Sequence, residues 1–230
     1  ESYEIEENVG LNSCAYMEKK PVIDGVVNDG EWNKNSAIDL EKGGKYVYLA
    51  GEAYRGTEDL SGKFYIAWDE ENFYMAAQMT DDVFSDDKLE GGILWRSDGI
   101  QFAMAEYRGA SSVSQFDIAK VGGKNLVQVD RHPDSDMVGM LDAENYELEI
   151  GREGNITTYE LKLPWKIIFS EDYTVAKNGE LAMSFMVNEN DGDVRRGYFE
   201  YGSGIGTGTA DTSVYNKYFM LGSRLMDELK

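Results

Sequence analysis

The sequence is dominated by short runs in which apolar and polar side chains alternate with a period of two residues. This alternation places successive side chains on opposite faces of a sheet, so each run predicts one β-strand. The predicted strands are 63–68, 73–80, 98–105, 114–121, 125–130, 146–150, 157–163, 181–190, 197–201 and 217–221. Many short strands separated by Gly, Asn and Asp predict an all-β fold, an antiparallel β-sandwich with jelly-roll-like or immunoglobulin-like layering.

The clearest local prediction is a hairpin, in which strands 63–68 and 73–80 flank a polar turn at 69–72. Helix is expected only as single turns near 30–35 and 165–169. Residues 1–20 are acidic at their start and are expected to be a linker or a first strand, followed by one domain over 21–230. The glycine-rich stretch "GSGIGTGTAD" at 202–211 is predicted to be a mobile loop. It lacks the Lys-Ser/Thr ending of a phosphate-binding loop.

Charge narrows the classes of partner. The chain has 43 acidic and 22 basic residues and a formal net charge of -21, which repels phosphate backbones and anionic lipids. We therefore expect neither nucleic-acid binding nor membrane insertion. Cys14 is the only cysteine, which rules out an internal disulfide and a cysteine-rich zinc site. Because the sequence begins at Glu1, we expect a mature product or an excised module.

Two predicted strands have a polar face that suits a ligand. In 98–105, Ile100, Phe102 and Met104 share one face, and Gly99, Gln101 and Ala103 share the other. In 181–190, the second face holds Ala182, Ser184, Met186, Asn188 and Asn190. If the two strands lie in one sheet with these faces on the same side, the three amides converge near Trp95 and Arg96.

A tryptophan beside fixed amides and charges is typical of sugar recognition. The apolar face of a pyranose stacks on an aromatic ring, and its hydroxyls need both donors and acceptors. We therefore predict that Trp95 is a ligand platform, with packing in the protein interior as the alternative. Trp32 and Trp68 are expected in the core, and Trp165 at one end of the sandwich. Arg96 either binds ligand or pairs with the acidic surface.

Several stretches in order resemble the carbohydrate-binding modules of family 9, within the DOMON-like group of β-sandwiches. They are "PVIDGVVNDGEWN", "YIAWDEENFYMAAQMTDD", "LWRSDGIQF", "YELKLPWKII", "MSFMVNEND" and "YFMLG". The resemblance covers about residues 21–222. It implies an antiparallel β-sandwich without catalytic activity, structural calcium, and binding of sugars, often at chain ends, by an aromatic clamp.

Matched by position, the resemblance assigns the first stacking tryptophan to Trp95. The family's ligand-binding carboxylate falls on Gln101, an amide, and its later polar positions fall on Asn188 and on Asn190, which precedes Asp191. Two departures from the family pattern concern positions that contact the sugar. The family's sugar-contacting arginine falls on Asp117 or a neighbour, and the second clamp tryptophan has no counterpart.

Tyr201 and Tyr215 are the nearest aromatic residues to that missing tryptophan, and we predict that one of them covers the sugar. The predicted ligand-binding residues are Trp95, Arg96, Gln101, Asn188, Asn190, Tyr201 and Tyr215. The predicted calcium ligands are Asp24, Asp29, Asp81, Asp82 and Asp98, with Asn28, Glu31, Asp86 and Asp87 as further oxygen donors nearby.

The sequence thus predicts a non-enzymatic module that binds plant or cell-wall polysaccharide or oligosaccharide. We expect it to be extracellular or at the cell surface, and to accompany other domains, such as those of a glycoside hydrolase, in a larger chain. There are three alternatives to this function. Haem would need His132, the only histidine, as an axial ligand. A glycoside hydrolase needs two facing carboxylates, and an adhesion or spacer domain would retain the fold with a degenerate sugar site.

Overall fold

The computed structural model describes residues 12–86, 93–175, 179–192 and 194–221. Within these ranges the chain is nearly all β. The strands are β1 (Asn12–Tyr16), β2 (Ile38–Asp39), β3 (Gly44–Tyr48), β4 (Leu60–Trp68), β5 (Asn72–Asp81), β6 (Gly99–Ala105), β7 (Ser114–Val121), β8 (Lys124–Arg131), β9 (Gly139–Met140), β10 (Glu147–Glu153), β11 (Ile156–Pro164), β12 (Glu180–Asn190), β13 (Arg195–Tyr201) and β14 (Asn216–Leu221).

Helical structure in these ranges is limited to short segments. The α-helices are α1 (Leu40–Gly43) and α2 (Trp165–Ile168), and the 3-10 turns are Lys34–Ser36, Leu94–Arg96, Ser135–Met137, Ala143–Asn145 and Thr212–Val214. None of the helices in the described ranges has the length and apolar character that crossing a bilayer requires.

All ten predicted strands are confirmed, with small shifts at their ends. Strands β2, β3 and β9 were not predicted from the sequence. Strands β2 and β9 are two residues long, which is too short for an alternating pattern to be recognised. The side chains of β3 are half-buried or exposed along its length, so β3 has no buried face to produce alternation. β1 lies within residues 1–20, the segment predicted as a linker or first strand. The helical turn expected at 165–169 is α2, and that near 30–35 is the 3-10 turn Lys34–Ser36.

The strands form one large curled sheet with the order β10-β11-β5-β4-β1-β14-β12-β6-β7-β8-β9, with β13 joining β12 to β3 and β2 pairing with β4. Most neighbours are antiparallel, but β1 pairs in parallel with both β14 and β4. The expected all-antiparallel sandwich is therefore corrected to a mixed sheet. The physical reason is β1, whose parallel pairing with both strands joins the two halves of the sheet and was not predicted from the sequence.

The two halves of the sheet face each other across one core. Phe64 on β4 stacks on Phe185 of β12 with the ring centroids 4.6 Å apart. The ring centroid of Phe73 on β5 lies 6.2 Å from that of Phe102 on β6. These pairs come from opposite halves and belong to one apolar cluster, so the curled sheet has sandwich-like layering. Burial of this cluster is the main favourable contribution to folding.

The three tryptophans predicted to be structural are buried, as expected. Trp68 packs in the main core, and Trp165 stacks on Phe169 where α2 closes one end of it. Trp32 belongs to a separate small cluster on the other side of the sheet, and its indole N–H donates to Glu160. The Oε2 atom of Glu160 also accepts from the backbone N–H groups of Asp24 and Gly25, each at 3.0 Å, so this buried carboxylate ties the loop before Trp32 to β11.

The predicted hairpin is confirmed as β4 and β5, which pair from Leu60↔Asp81 to Trp68↔Phe73. Asp69 organises its turn by accepting hydrogen bonds from the backbone N–H groups of Glu71 (2.8 Å) and Asn72 (2.7 Å) and from the hydroxyl of Tyr74 (2.7 Å). Burial raises the pKa of Asp69, but these hydrogen bonds and the Lys20 ammonium outweigh burial and hold it below its ordinary value.

Candidate functional site

A layer of polar side chains lies on the face of the sheet opposite the main core, and most of them are buried, including Gln101 at 4% and Asn188 at 2% exposure. β12 pairs with β6, β6 with β7, and β7 with β8, all antiparallel. One row of directly opposed residues runs Met186, Gln101, Asp117 and Gln128. With Asn188, Gln115 and Asp130, whose side chains bond within the same group, this row is here called the polar face. The expectation that β6 and β12 lie in one sheet is confirmed, and the amides of Gln101 and Asn188 lie on the same side of it, whereas that of Asn190 does not.

The amides of the polar face form a chain of hydrogen bonds. Asn188 Nδ2 donates to Gln101 Oε1 at 3.4 Å, and Gln101 Nε2 donates to Asp130 Oδ2 at 3.5 Å. Asp130 also accepts from Gln128 at 2.8 Å and from Gln115 at 3.4 Å. Several of these bonds are long, and the amides of Gln101 and Asn188 that make them are buried.

Trp95 lies at one edge of this face, in the 3-10 turn Leu94–Arg96 that leads into β6. Its side chain is half-buried, so the indole is not sealed inside the protein. The guanidinium carbon of Arg195 lies 5.1 Å from the indole centroid and 5.0 Å from the ring centroid of Tyr198. The guanidinium of Arg96 lies 5.3 Å from the same indole. Two cations therefore adjoin Trp95, both at cation–π distance.

Arg195 and Tyr198 are site residues that the sequence analysis missed. Both lie on β13, which pairs with β12 in the register Asn188↔Tyr198 and Asn190↔Arg195. The Nη2 atom of Arg195 donates to Asn188 Oδ1, which joins the arginine to the amide chain. The sequence does contain a signal for these two residues. The stretches "NEN" and "RRGY" lie on either side of a short polar turn, and a hairpin would bring them together. Thus an arginine does reach the site, from β13 rather than from β7.

Asp117, where the resemblance places an arginine, is a buried carboxyl group. Neither of its oxygens has a hydrogen-bond partner among the described residues. Burial, reinforced by the charge of Asp130, raises the pKa of Asp117 well above its ordinary value. Burial of Arg195 lowers its pKa to about 10, which still leaves the guanidinium charged near neutral pH. The polar face therefore has a cationic end at Arg195, while its buried acid favours the neutral form.

Asn190 supports the site rather than facing it. Its backbone N–H donates to Asp98 Oδ1 at 2.6 Å, and its side-chain amide donates to the carbonyl of Arg96. Asp98 also accepts from the backbone of Ser85. These contacts fix the turn that carries Trp95, and they occupy the Asn190 amide. The predicted role of Asn190 in holding sugar hydroxyls does not fit this placement.

Neither tyrosine predicted to cover the sugar lies beside Trp95. Tyr201 points to the other side of β13, where it packs against the main core and its hydroxyl donates to Asn12. Tyr215 is only 1% exposed and packs with Ile205 in a second apolar cluster under the glycine-rich loop. The alternation of β13 explains the first error, because Tyr198 and Tyr201 have opposite parity. Tyr198 is the aromatic residue that lies near Trp95.

The glycine-rich loop 202–211 is held against the sheet rather than free of it. Glu200 Oε1 accepts from the backbone N–H groups of Ile205 (2.9 Å) and Gly206 (3.1 Å). A Cβ atom at Gly206 would collide with the ring of Tyr198, so the loop approaches that ring as closely as only glycine permits. These contacts do not fit the expectation of a mobile loop, and they place the loop beside the aromatic end of the polar face.

The predicted calcium ligands fall into separate places. Asp29 forms an ion pair with Lys34, and Asp24 accepts from the backbone of Val26. Among the described residues, the one group of three acidic side chains with close ligand atoms is Asp81, Asp82 and Asp191, within 4.8 Å of one another. Asp87 lies outside the described residues.

This acidic group has the character of a cation site. Burial, with a smaller contribution from the charges of Asp191 and Asp82, raises the pKa of Asp81 to about 7. Burial and the charge of Asp81 also raise the pKa of Asp98. Oδ1 of Asp191 is buried without a hydrogen-bond partner, although its other oxygen pairs with Arg196. Arg55 pairs with Asp82 and Arg196 with Asp191, so two of the three carboxylates are partly neutralised. The clustered carboxylate oxygens are ligands of the type that a hard cation such as calcium takes.

His132 lies in the polar turn after β8, where its Nδ1 atom accepts from the backbone N–H of Asp134 at 3.0 Å. This is a local turn contact. The arrangement gives no support to an axial haem ligand at this position.

Comparison with known proteins agrees with these observations. The family model described as "Carbohydrate family 9 binding domain-like" matches residues 23–220. A search of curated protein sequences found no significant match. A family 9 carbohydrate-binding module from Caldicellulosiruptor kristjanssonii, solved in complex with glucose, is 15% identical with a TM-score of 0.61, over 91% of this chain and 96% of that one.

A family 9 module from the same organism in complex with cellotriose is 16% identical with a TM-score of 0.60, over 91% of this chain and 93% of the other. At these identities the two structures show the fold, and the family model covers most of the chain. The protein therefore belongs to the carbohydrate family 9 binding domain-like family, a non-catalytic family of carbohydrate-binding modules.

Proposed function

We propose that the polar face and Trp95 together bind a sugar residue of a plant or cell-wall polysaccharide. The observation that carries this proposal is the convergence of a half-buried indole and a guanidinium at one edge of the polar face, above two buried amides. The sugar ring stacks on Trp95 and its hydroxyls bond to Arg195, which the buried amide of Asn188 holds in place. The relatives that bind glucose and cellotriose support this ligand class.

The residues of the site provide what a neutral hydroxyl needs. Each hydroxyl can donate one hydrogen bond and accept two, and the guanidinium of Arg195 can donate to those acceptor positions. Each hydrogen bond replaces one made to water, so its net contribution is small. We therefore expect modest affinity, with most of the discrimination between sugars coming from the placement of the polar groups.

The test is isothermal titration calorimetry guided by a glycan array of neutral and acidic polysaccharides. Trp95→Ala should lower the affinity for the best ligand at least about tenfold, a loss of about 1.4 kcal/mol. Tyr107→Ala is the matched control, because Tyr107 is an exposed aromatic residue, 49% accessible, outside the polar face. Equal affinity of wild type and Trp95→Ala for a verified ligand contradicts the proposed site. Absence of binding to every glycan favours an adhesion or spacer role.

We also propose a structural calcium ion held by Asp81, Asp82 and Asp191, with Asp98 behind them. Asp81 ends β5, and Asp191 directly follows β12, the strand that carries Asn188. An ion there would join the two halves of the sheet close to the turn that positions Trp95. The burial of Asp81 and the unpartnered oxygen of Asp191 support this proposal. Asp24 and Asp29 are not included, because they lie apart from this group.

The cellular setting follows from the ligand class. Polysaccharides of plant tissue and cell walls lie outside cells, and we propose an extracellular or cell-surface location. A binding module that holds such a substrate acts by keeping an attached domain close to it. We therefore propose that the protein works beside other domains of a larger chain, including a glycoside hydrolase. Detection of the protein in the medium or on the cell surface, rather than inside the cell, tests the location.

A further inference from the structure

Arg195 is a partly buried cation without an ion-pair partner among the described residues. By contrast, Arg55 pairs with Asp59 and Asp82, and Arg196 pairs with Asp191 and Glu52. The Nη2 atom of Arg195 bonds to the neutral amide of Asn188, and its Nε atom is buried without a partner. Because a buried charge without a counter-charge is costly, an anion bound beside Arg195 would stabilise the site.

No nearby acidic group among the described residues forms an ion pair with Arg195. The charge of Asp117, on β7, does act on the guanidinium and raises the pKa of Arg195, but less than burial lowers it. Burial raises the pKa of Asp117, which favours its neutral form. Asp130 lies one strand further away and accepts from three glutamines. The Oε1 atom of Glu200 is occupied by the backbone of the glycine-rich loop.

The surroundings of Arg195 leave its edge suited to a carboxylate. Its guanidinium lies near the rings of Trp95 and Tyr198, and a guanidinium that stacks on a ring keeps its N–H groups in its own plane. In that plane the N–H groups form a fork that matches the two oxygens of a carboxylate. The guanidinium of Arg96 adjoins the same indole.

We infer that the sugar bound at Trp95 is a uronic acid, whose carboxylate pairs with the guanidinium of Arg195. This inference rests on the proposed function and specifies its ligand. A uronate retains the apolar ring face that stacks on an indole and adds the anion that Arg195 lacks. The polysaccharides concerned are acidic ones, built from or substituted with uronic acid residues.

The decisive experiment compares each acid with an uncharged sugar of the same shape. Calorimetry measures the affinity of the wild-type protein for D-glucuronate and D-glucuronamide, and for D-galacturonate and D-galacturonamide. For at least one pair, the acid should bind about tenfold more tightly than the amide. The ratio should fall when the salt concentration is raised, because salt screens a partly exposed ion pair.

Variants then assign the preference to one residue. Arg195→Gln should bring the acid-to-amide ratio close to one, while Arg195→Lys should retain part of the preference because it keeps the charge without the fork. Arg131→Gln is the matched control, since Arg131 lies on β8, beyond Asp130, and bonds to the loop at Gly208. That variant loses the same charge and should keep the wild-type ratio.

The outcomes separate this inference from the function on which it rests. If amides and neutral sugars bind through Trp95 as tightly as the acids in both pairs, the uronate inference is wrong and the sugar site stands. If no sugar of either kind binds, both are wrong. A preference for the acids that survives Arg195→Gln also contradicts the inference, because the anion is then held elsewhere. The ratio of acid affinity to amide affinity in the wild-type protein alone decides whether the site prefers a uronate. That result does not depend on the folding of any variant.

Discussion

Replacement of Phe185 by alanine tests the packing on which the site depends. Phe185 is fully buried on β12, its ring stacks on Phe64 at 4.6 Å, and it meets Tyr218 edge-on at 6.3 Å. Loss of a buried phenylalanine side chain removes about 1.5–3 kcal/mol of transfer free energy, and each lost ring contact adds about 0.5–1.5 kcal/mol. With the cavity left behind, Phe185→Ala should lower the free energy of unfolding by about 3–5 kcal/mol.

The assay is equilibrium unfolding in urea followed by tryptophan fluorescence, with the slope of the transition checked for constancy. Phe219→Ala is the matched control, because Phe219 is 40% exposed on β14, and it should cost less than about 1 kcal/mol. In a double-mutant cycle, Phe185→Ala and Phe64→Ala should show a coupling of about 0.5–3 kcal/mol, as residues in contact do.

Two results would refute this reasoning. If Phe185→Ala costs no more than Phe219→Ala, the ring is not in a packed core. If the two buried phenylalanines show no coupling, the halves of the sheet do not face each other as described. Because β12 carries Phe185 on one face and Asn188 on the other, sugar affinity measured below the unfolding transition should change less in Phe185→Ala than in Trp95→Ala.

Three further predictions concern the turn, the ion and the loop. Asp69→Asn should lower stability by about 1–3 kcal/mol near neutral pH. Because the folded-state pKa of Asp69 lies below its ordinary value of 3.8, the wild-type advantage is present above that pH and is lost as the pH falls through the folded-state pKa. Melting temperatures of the two proteins should therefore converge in acid, and a constant difference would contradict the role of the charge. A calcium chelator should lower the melting temperature of the wild type, by an amount equivalent to about 2.7 kcal/mol if calcium had been present at a hundred times its Kd. The same chelator should leave the melting temperature of Asp191→Asn almost unchanged. An equal drop in the melting temperatures of both proteins would place any ion elsewhere. Gly206→Ala should displace the Tyr198 ring and weaken sugar binding in calorimetry, whereas Gly208→Asn, at a position with open space and a φ of +67°, should not. Unchanged affinity in Gly206→Ala would remove Tyr198 from the site.

Much of the fold could be predicted from the sequence because strands and hairpin turns leave patterns in residues that are close together in the chain. Alternation marked ten strands, and "WDEENF" marked the hairpin turn in which Asp69 bonds to the next residues of the chain. The position of β1 could not be predicted in this way. Its partners β14 and β4 are distant in sequence, and a parallel pair leaves no turn between its strands to mark it.

The candidate site was only partly predictable for the same reason. The placement of Gln101 and Asn188 on one face followed from their parity in two strands. The position of Arg195 depends on the irregular pairing between β12 and β13 at Glu189 and Asn190, and a register shift moves a side chain to a different neighbour. Asn190 fell on the predicted face by parity, but that same irregularity turns its amide toward the Trp95 turn.

The sequence by itself determined the β class, the core tryptophans and the polar side chains beside Trp95, because each of these depends on residues close together in the chain. Only the tertiary structure decided that the sheet is mixed, that Asp81 and Asp191 meet, and that Arg195 lies against Trp95 without a carboxylate partner among the described residues. These are contacts between distant segments. Their existence depends on how the sheet curls over its core and on which charges are buried together, and neither is written in any one stretch of the chain.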